Sequence, residues 1–276
     1  MSETSHMREI YLHTIALEPA RWTPARVSAP LAALLPEIVR HGFRKLEIYE
    51  PHLSMAPDES VLPVMIGDLG IEPVILSSYA TLSPSTDGET FVALADEMAA
   101  RVARFGFRKV RLFPGQRVDP ADDAAVAVVQ ERIAKLASRM PETELLLETH
   151  DRSIADDPAR IVRMVEELAL PTVGLLFQPT LFERESSLSQ FALQKSLVRH
   201  LHLQDRNAAR EMVLLGEGMV PWEVFLRELG ADVPASIEFV AAGMTPVAEF
   251  DLGRALAGVA ADMKVAREMA GRDATY

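Results

Sequence analysis

Cysteine is missing from all 276 residues, which excludes disulfides, thiolate metal ligands and cysteine nucleophiles together. No apolar run approaches the ~18 residues a helix needs to cross a bilayer. The N-terminal "MSETSHMREI" also lacks the basic segment followed by an apolar one that marks an export signal. A cytoplasmic protein with no membrane partner is therefore expected, with residues 1–7 as a flexible N-terminal extension. Positive charge is short as well: 28 Lys and Arg face 40 Asp and Glu, a formal net charge of -12. Non-specific affinity for nucleic acid comes mostly from Lys and Arg neutralising phosphates, so a nucleic-acid partner is not expected. What remains is ordinary globular material, 49% hydrophobic and 25% charged, ample for a core and without a signature of disorder.

One segment is written twice. "HGFRKLEIYE" begins at His41, and 64 residues later the chain reads "FGFRKVRLFP". In both copies the Gly ends an amphipathic run, "APLAALLPEIVRHG" or "FVALADEMAARVARFG", where a residue without Cβ suits a left-handed helix stop. The apolar alternation that follows reads as a short strand. The spacing fits two strand-plus-helix units of ~30 residues each.

The other units complete the set. Strands are expected at residues 9–17, 45–49, 72–79, 109–113, 144–150, 172–178, 198–205 and 235–240. Helical runs lie between them, including one opened by Asp119 and Pro120 and a last one over residues 245–271. Eight units without a linker predict one domain over 1–276, an α/β protein folded as a closed (β/α)8 TIM barrel. The rival doubly wound sheet lacks its marker, a Gly-rich phosphate turn after the first strand.

Alternate barrel strands contribute to the same interior layer, so Glu47 and Arg111, at equivalent places in the two copies, are expected to face one another as an ion pair. The outward alternative would turn Leu46, Ile48, Val110 and Leu112 inward. Both faces of a barrel strand can be apolar, which leaves that alternative open.

Catalytic groups of such barrels sit at the C-terminal strand ends. These ends carry His13, Glu47, Ser78, Tyr79, Arg111, Glu148, His150, Gln178, His202, Asp205 and Glu238. Glu148 closes a run of three leucines, His202 lies between two, and Glu238 lies between Ile237 and Phe239. A carboxylate in such surroundings costs several kcal/mol unless a cation or hydrogen bonds meet it. A 2+ ion held by Glu148, Glu238, His202 and the amide oxygen of Gln178 would neutralise the two carboxylates. That donor set suits Mn2+ first, with Mg2+, Co2+ or Zn2+ as alternatives. A core histidine or a Glu paired with Arg is the bland reading of each residue taken singly; four such positions on four successive strands favour the ion. His200 shares the inward face with His202, one layer down.

These residues resemble the xylose-isomerase-like barrel superfamily of sugar isomerases and epimerases, over nearly the whole chain. "GFRKLEIY" is similar to the family's second strand, "LLLETH" to its fifth with a metal-binding Glu, "VRHLHLQD" to its seventh with a metal-binding His, and "ASIEFV" to its eighth with another Glu. "LGEGMVPW" resembles the Gly-x-Gly stretch after strand seven. One departure stands out: where the family has Asp-x-x-His after strand six, this chain has Gln178 and Leu181. The resemblance implies an isomerase or epimerase of a small sugar or hydroxy-keto acid, working through an enediolate, with Glu148 and Glu238 as acid/base pair. His13, Glu47, Arg111, His150 and Arg206 would bind substrate. A dehydratase using the same enediolate, and a degraded barrel that only binds a ligand, are the alternatives. An endonuclease role is opposed by the acidic surface. A homo-oligomer is compatible with everything above.

Overall fold

Both copies of the repeated segment fold alike. Gly42 and Gly106 take φ of +88° and +72°, and the amides after them turn back onto helix carbonyls, Phe43 to Ile38 and Phe107 to Val102, each at 3.2 Å. The helix stop read from the sequence is therefore a backbone fact, since only Gly reaches that region without a Cβ clash.

The computed structural model describes residues 7–21, 27–115, 122–151 and 153–271. Eight parallel strands close into a barrel, so the expected α/β TIM-barrel class is the observed fold. They are β1 Ile10–His13, β2 Lys45–Tyr49, β3 Glu72–Ser77 and β4 Lys109–Leu112, then β5 Glu144–Glu148, β6 Val173–Phe177, β7 Val198–Leu203 and β8 Ala235–Ile237. β1 pairs with both β2 and β8, which closes the ring. A helix follows each strand: α1 Leu31–Arg40, α2 Leu62–Asp68, α3 Gly88–Phe105, α4 Asp123–Arg139, α5 Pro158–Leu168, α6 Arg184–Gln194, α7 Trp222–Leu229 and α8 Leu252–Ala270. No helix among the described residues is long and apolar enough to cross a membrane.

Strand alternation sorts the core into two shells. Leu46, Ile48, Val110 and Leu112 point outward and pack with the helices in the main hydrophobic cluster. Tyr11, Ile75, Leu146 and Leu176 form a small apolar plug inside the barrel. Glu47 and Arg111 are thereby left on the inward side, both fully buried.

Several boundaries differ from the sequence expectation. Thr14–Leu17 is a buried 3-10 helix and no part of the first strand, which ends at His13. The eighth strand stops at Ile237, and the last helix begins only at Leu252, after a 3-10 turn at Val247–Glu249. Asp119 and Pro120 lie outside the described residues; α4 starts at Asp123, where Asp122 accepts the Ala125 amide at 2.9 Å. Asp87, Asp157 and Asp251 cap α3, α5 and α8 in the same way, each cap stabilising by ~1 kcal/mol.

Candidate metal centre

β7 supplies the axis of the site. Its period of two sends His200, His202 and, just past the strand, Gln204 into the barrel, and all three are buried. His200 Nε2 meets Ser236 Oγ at 2.8 Å and its ring stacks on Tyr11, one layer below the mouth as expected. His202 sits above it, with Glu148 from the end of β5 and Glu238 just after β8.

Glu148, His202 and Glu238 each offer one ligand atom, all within 4.8 Å of one another, and all three side chains are buried. His202 Nδ1 lies 3.4 Å from Glu238 Oε1 and 3.7 Å from Glu148 Oε1. Glu148 Oε1 and His202 Nδ1 have no hydrogen-bond partner, while Glu148 Oε2 faces Arg111 Nε. Buried polar atoms are normally satisfied, so two unpartnered atoms beside the Glu238 carboxylate fit a divalent cation. Two carboxylates and an imidazole are a donor set for a divalent ion.

Gln178 joins this group through a residue the sequence reading passed over. Gln204 Nε2 donates to Gln178 Oε1 at 2.9 Å and to Glu238 Oε2 at 2.7 Å, fixing both rotamers. The Gln204 carbonyl in turn accepts the indole N–H of fully buried Trp222 at 2.9 Å. Period-two alternation from His202 was the signal for Gln204. Its neighbour Asp205 points the other way and accepts the amides of Arg206, Gly216, Gly218 and Val220 at 2.9 to 3.2 Å. The Gly-x-Gly stretch thus wraps Asp205, and a Cβ on Gly218 would stand 2.1 Å from Asp205 Oδ1.

The expected pairing of Glu47 with Arg111 is corrected. Arg111 Nε lies 3.0 Å from Glu148 Oε2, while Glu47 lies 3.0 Å from His202 Nε2 and 3.2 Å from His13 Nε2. Strand register explains the exchange. Glu47 is level with Ile75, which is level with Lys109, so Arg111 sits two residues further along β4. The stagger that closing a barrel requires separates equivalent positions of strands two and four.

Charge compensation sets the protonation of the group. Burial pushes the Glu148 carboxyl up, but Arg111 and His202 outweigh it and hold it below the usual carboxylate range. For Glu47, burial is likewise outweighed by His13 and His202. Burial pulls His202 down, yet Glu47 and Glu238 raise it well above an ordinary imidazole.

The remaining candidates lie around this centre. Arg111 Nη1 donates to Ser78 O at 3.0 Å, and its guanidinium is flanked by Phe113 at 4.3 Å and Tyr79 at 4.7 Å. Tyr79, Phe113 and His150 line a cavity of about 260 Å³ at the mouth. His150 is partly exposed, packs edge-on to Phe113 and bonds the Asp151 carbonyl. Arg206 is half-buried over Phe182 and donates to Arg210 O at 3.0 Å. His13 lies inside the barrel beside Glu47, fully buried. Leu181, at the place of the family's histidine, is exposed.

Fold and site together define an α/β barrel with a polar, metal-competent mouth. Residues 35–267 match the model of the xylose isomerase-like TIM barrel family, and the chain belongs to that family. Compared by sequence with curated proteins, it matches none. Similar solved structures include the probable 3-DHS dehydratase AsbF of Bacillus anthracis, 21% identical, covering 94% of this chain and 98% of that one, with TM-score 0.71. A xylose isomerase-like TIM barrel protein of Mycobacterium smegmatis in complex with magnesium is 16% identical over 98% of this chain and 100% of its own, TM-score 0.71. An IolI protein with a bound zinc atom is 15% identical over 97% and 100%, TM-score 0.70.

Proposed function

We propose that this protein is a divalent-metal-dependent isomerase or epimerase of a small sugar or hydroxy-keto acid. The observation that supports it is the convergence of Glu148, His202 and Glu238, with Glu148 Oε1 and His202 Nδ1 lacking hydrogen-bond partners. Glu148, Gln178, His202 and Glu238 would hold the ion, Mn2+ first and Mg2+, Co2+ or Zn2+ otherwise. When bound, it supplies Lewis acidity toward the adjacent oxygens of a hydroxy-carbonyl substrate.

The chain's own residues move the proton and place charge. Glu238 takes the proton α to the carbonyl; the electron pair of that C–H bond forms the enediolate. Arg111 at 3.0 Å keeps Glu148 ionised and a weaker base, so abstraction falls to Glu238. The hydroxyl proton passes to the former carbonyl oxygen, and return of the carbon-bound proton by Glu238 to the neighbouring carbon completes an isomerisation. Delivery to the opposite face asks Glu148 to hold a proton against Arg111, so isomerisation is the better fit of the two. Arg111, His150 and Arg206 line the approach and bind substrate hydroxyls or a carboxylate. His13 and Glu47 lie beneath and act through His202.

A second reading is a dehydratase, favoured by the likeness to a protein whose printed name is a probable 3-DHS dehydratase. There the electron pair expels a β-hydroxyl: the C–O bond breaks, the departing oxygen takes the proton that Glu238 removed, and water leaves. Incubation with Mn2+ in D2O against aldoses, ketoses, hydroxy-keto acids and 3-DHS separates the two. Deuterium incorporation with carbonyl transposition supports isomerisation; a new ultraviolet-absorbing product indicates elimination. Failure to take up any ion, with no turnover, would leave a ligand-binding barrel, the reading that neutral Gln178 suggests.

A further inference from the structure

We propose that Glu47, on β2 inside the barrel, is a positioning residue that decides which ring nitrogen of His202 faces Glu148 and Glu238. This rests on the metal-centre reading above. His202 is fully buried, and its two nitrogens meet different carboxylates. Nε2 lies 3.0 and 3.1 Å from the two oxygens of Glu47. Nδ1 has no hydrogen-bond partner and looks toward Glu238 at 3.4 Å and Glu148 at 3.7 Å. An ionised carboxylate can only accept, so the nitrogen against Glu47 carries a proton. An imidazole that keeps Nε2–H can bind a cation only through Nδ1. Glu47 therefore selects the tautomer and the ring orientation, and the ligand face of His202 turns toward the two glutamates.

Glu47 is itself held for this task. His13, its registered neighbour on β1, brings Nε2 to 3.2 Å. Tyr49, two residues on, ties its amide to Thr14 Oγ1 at 2.9 Å, which fixes the end of β2. The same geometry contains a rival: His13, Glu47 and His202 also offer ligand atoms within 4.8 Å of one another, and neither His13 nitrogen has a hydrogen-bond partner. In that rival Glu47 would be a ligand. It would require Nε2 to give up the bond to Glu47 that it already makes, while Glu148 Oε1 and His202 Nδ1 stayed without partners.

Calorimetric titration of Mn2+ into the full-length metal-free protein tests the proposal. One ion per chain is expected. Glu47→Gln should weaken binding by about 10- to 100-fold, as loss of an orienting partner does. Glu148→Gln, which removes a ligand, should weaken it further. His13→Ala, which loosens Glu47 without removing it, should weaken binding less than Glu47→Gln does, and Ser236→Ala should leave the affinity unchanged. Unchanged affinity in Glu47→Gln, a loss as large as that of Glu148→Gln together with an equal loss in His13→Ala, or two ions per chain would overturn it. A second readout needs no variant to fold and no ion to bind. Nitrogen-15 NMR of the His202 ring should show a slowly exchanging Nε2 proton in the metal-free protein, retained when diamagnetic Zn2+ is added. Its absence overturns the proposal. If the native chain takes up no ion yet shows that proton, the metal-centre reading fails while the Glu47–His202 link stands.

Discussion

Arg111 Nε lies 3.0 Å from Glu148 Oε2, and both side chains are fully buried inside the barrel. Removing one partner of such a pair leaves an uncompensated charge, at a cost of about 3–5 kcal/mol. Arg111→Met should therefore unfold at markedly lower temperature in chelator. A divalent ion can take over the compensation of Glu148, so Mn2+ should raise the melting temperature of Arg111→Met more than that of the native chain. Equal shifts in the two proteins, measured by thermal denaturation with and without Mn2+, would argue that the ion does not touch Glu148.

The two glutamates should part company in stability while agreeing in activity. Positioned acid/base groups contribute roughly 100- to 10,000-fold, so Glu238→Gln should lose turnover on that scale, and Glu148→Gln, which removes a carboxylate that would hold the ion, should lose turnover as well. Glu148→Gln also strands Arg111 and should destabilise the metal-free fold. Glu238→Gln keeps an acceptor for Gln204 and leaves no buried cation unpaired, so its metal-free stability should stay near that of the native chain. Kinetics paired with urea denaturation checks both halves.

The sequence disclosed Glu148, His202 and Glu238 because each is polar inside an apolar strand, where burial is certain and a polar group needs a reason. It also disclosed the helix stops at Gly42 and Gly106, which are local backbone events. What it could not disclose is which inward residues share a level. That depends on the barrel's stagger and on register shifts between Leu46 and Glu47 and between Leu175 and Leu176. Equivalence of the two repeat copies therefore pairs Glu47 with Arg111, whereas the fold pairs it with His13 and His202. Gln204 and Asp205 lie past the end of β7, where polar residues are ordinary; alternation puts Gln204 on the inward side and Asp205 at a strand end, but their roles come from their three-dimensional partners. The apolar alternation of Thr14–Leu17 reads as strand because a buried 3-10 turn is apolar for the same reason a strand is.

Gly218 should tolerate no side chain. A Cβ there would stand 2.1 Å from Asp205 Oδ1 and 2.7 Å from the Arg206 carbonyl, so the loop must open and release amides that Asp205 now holds. Overpacking of this kind costs about 1–3 kcal/mol. Gly218→Ala should lose stability by that amount and loosen Arg206 at the mouth; a variant as stable as the native chain, by urea denaturation, would show that Asp205 can move without consequence.

Asp262 on α8 gives the chain a predictable dependence on pH. Burial raises its carboxyl from the ordinary aspartate range to about 6, against the pull of the Leu215 amide it accepts at 2.8 Å. The folded state thus binds a proton more tightly than the unfolded chain. Stability from this group is fully present below about pH 4 and is lost as pH rises through about 6. Above that, the native chain carries an ionised, desolvated carboxylate that costs about 1–3 kcal/mol. Asp262→Asn keeps an acceptor for Leu215 without the charge. It should be more stable than the native chain at pH 8 and gain nothing at pH 4. Urea denaturation at the two pH values decides the point: an equal gain at both would trace the effect to packing, and no gain at pH 8 would mean that the carboxylate is better solvated than its 4% exposure implies.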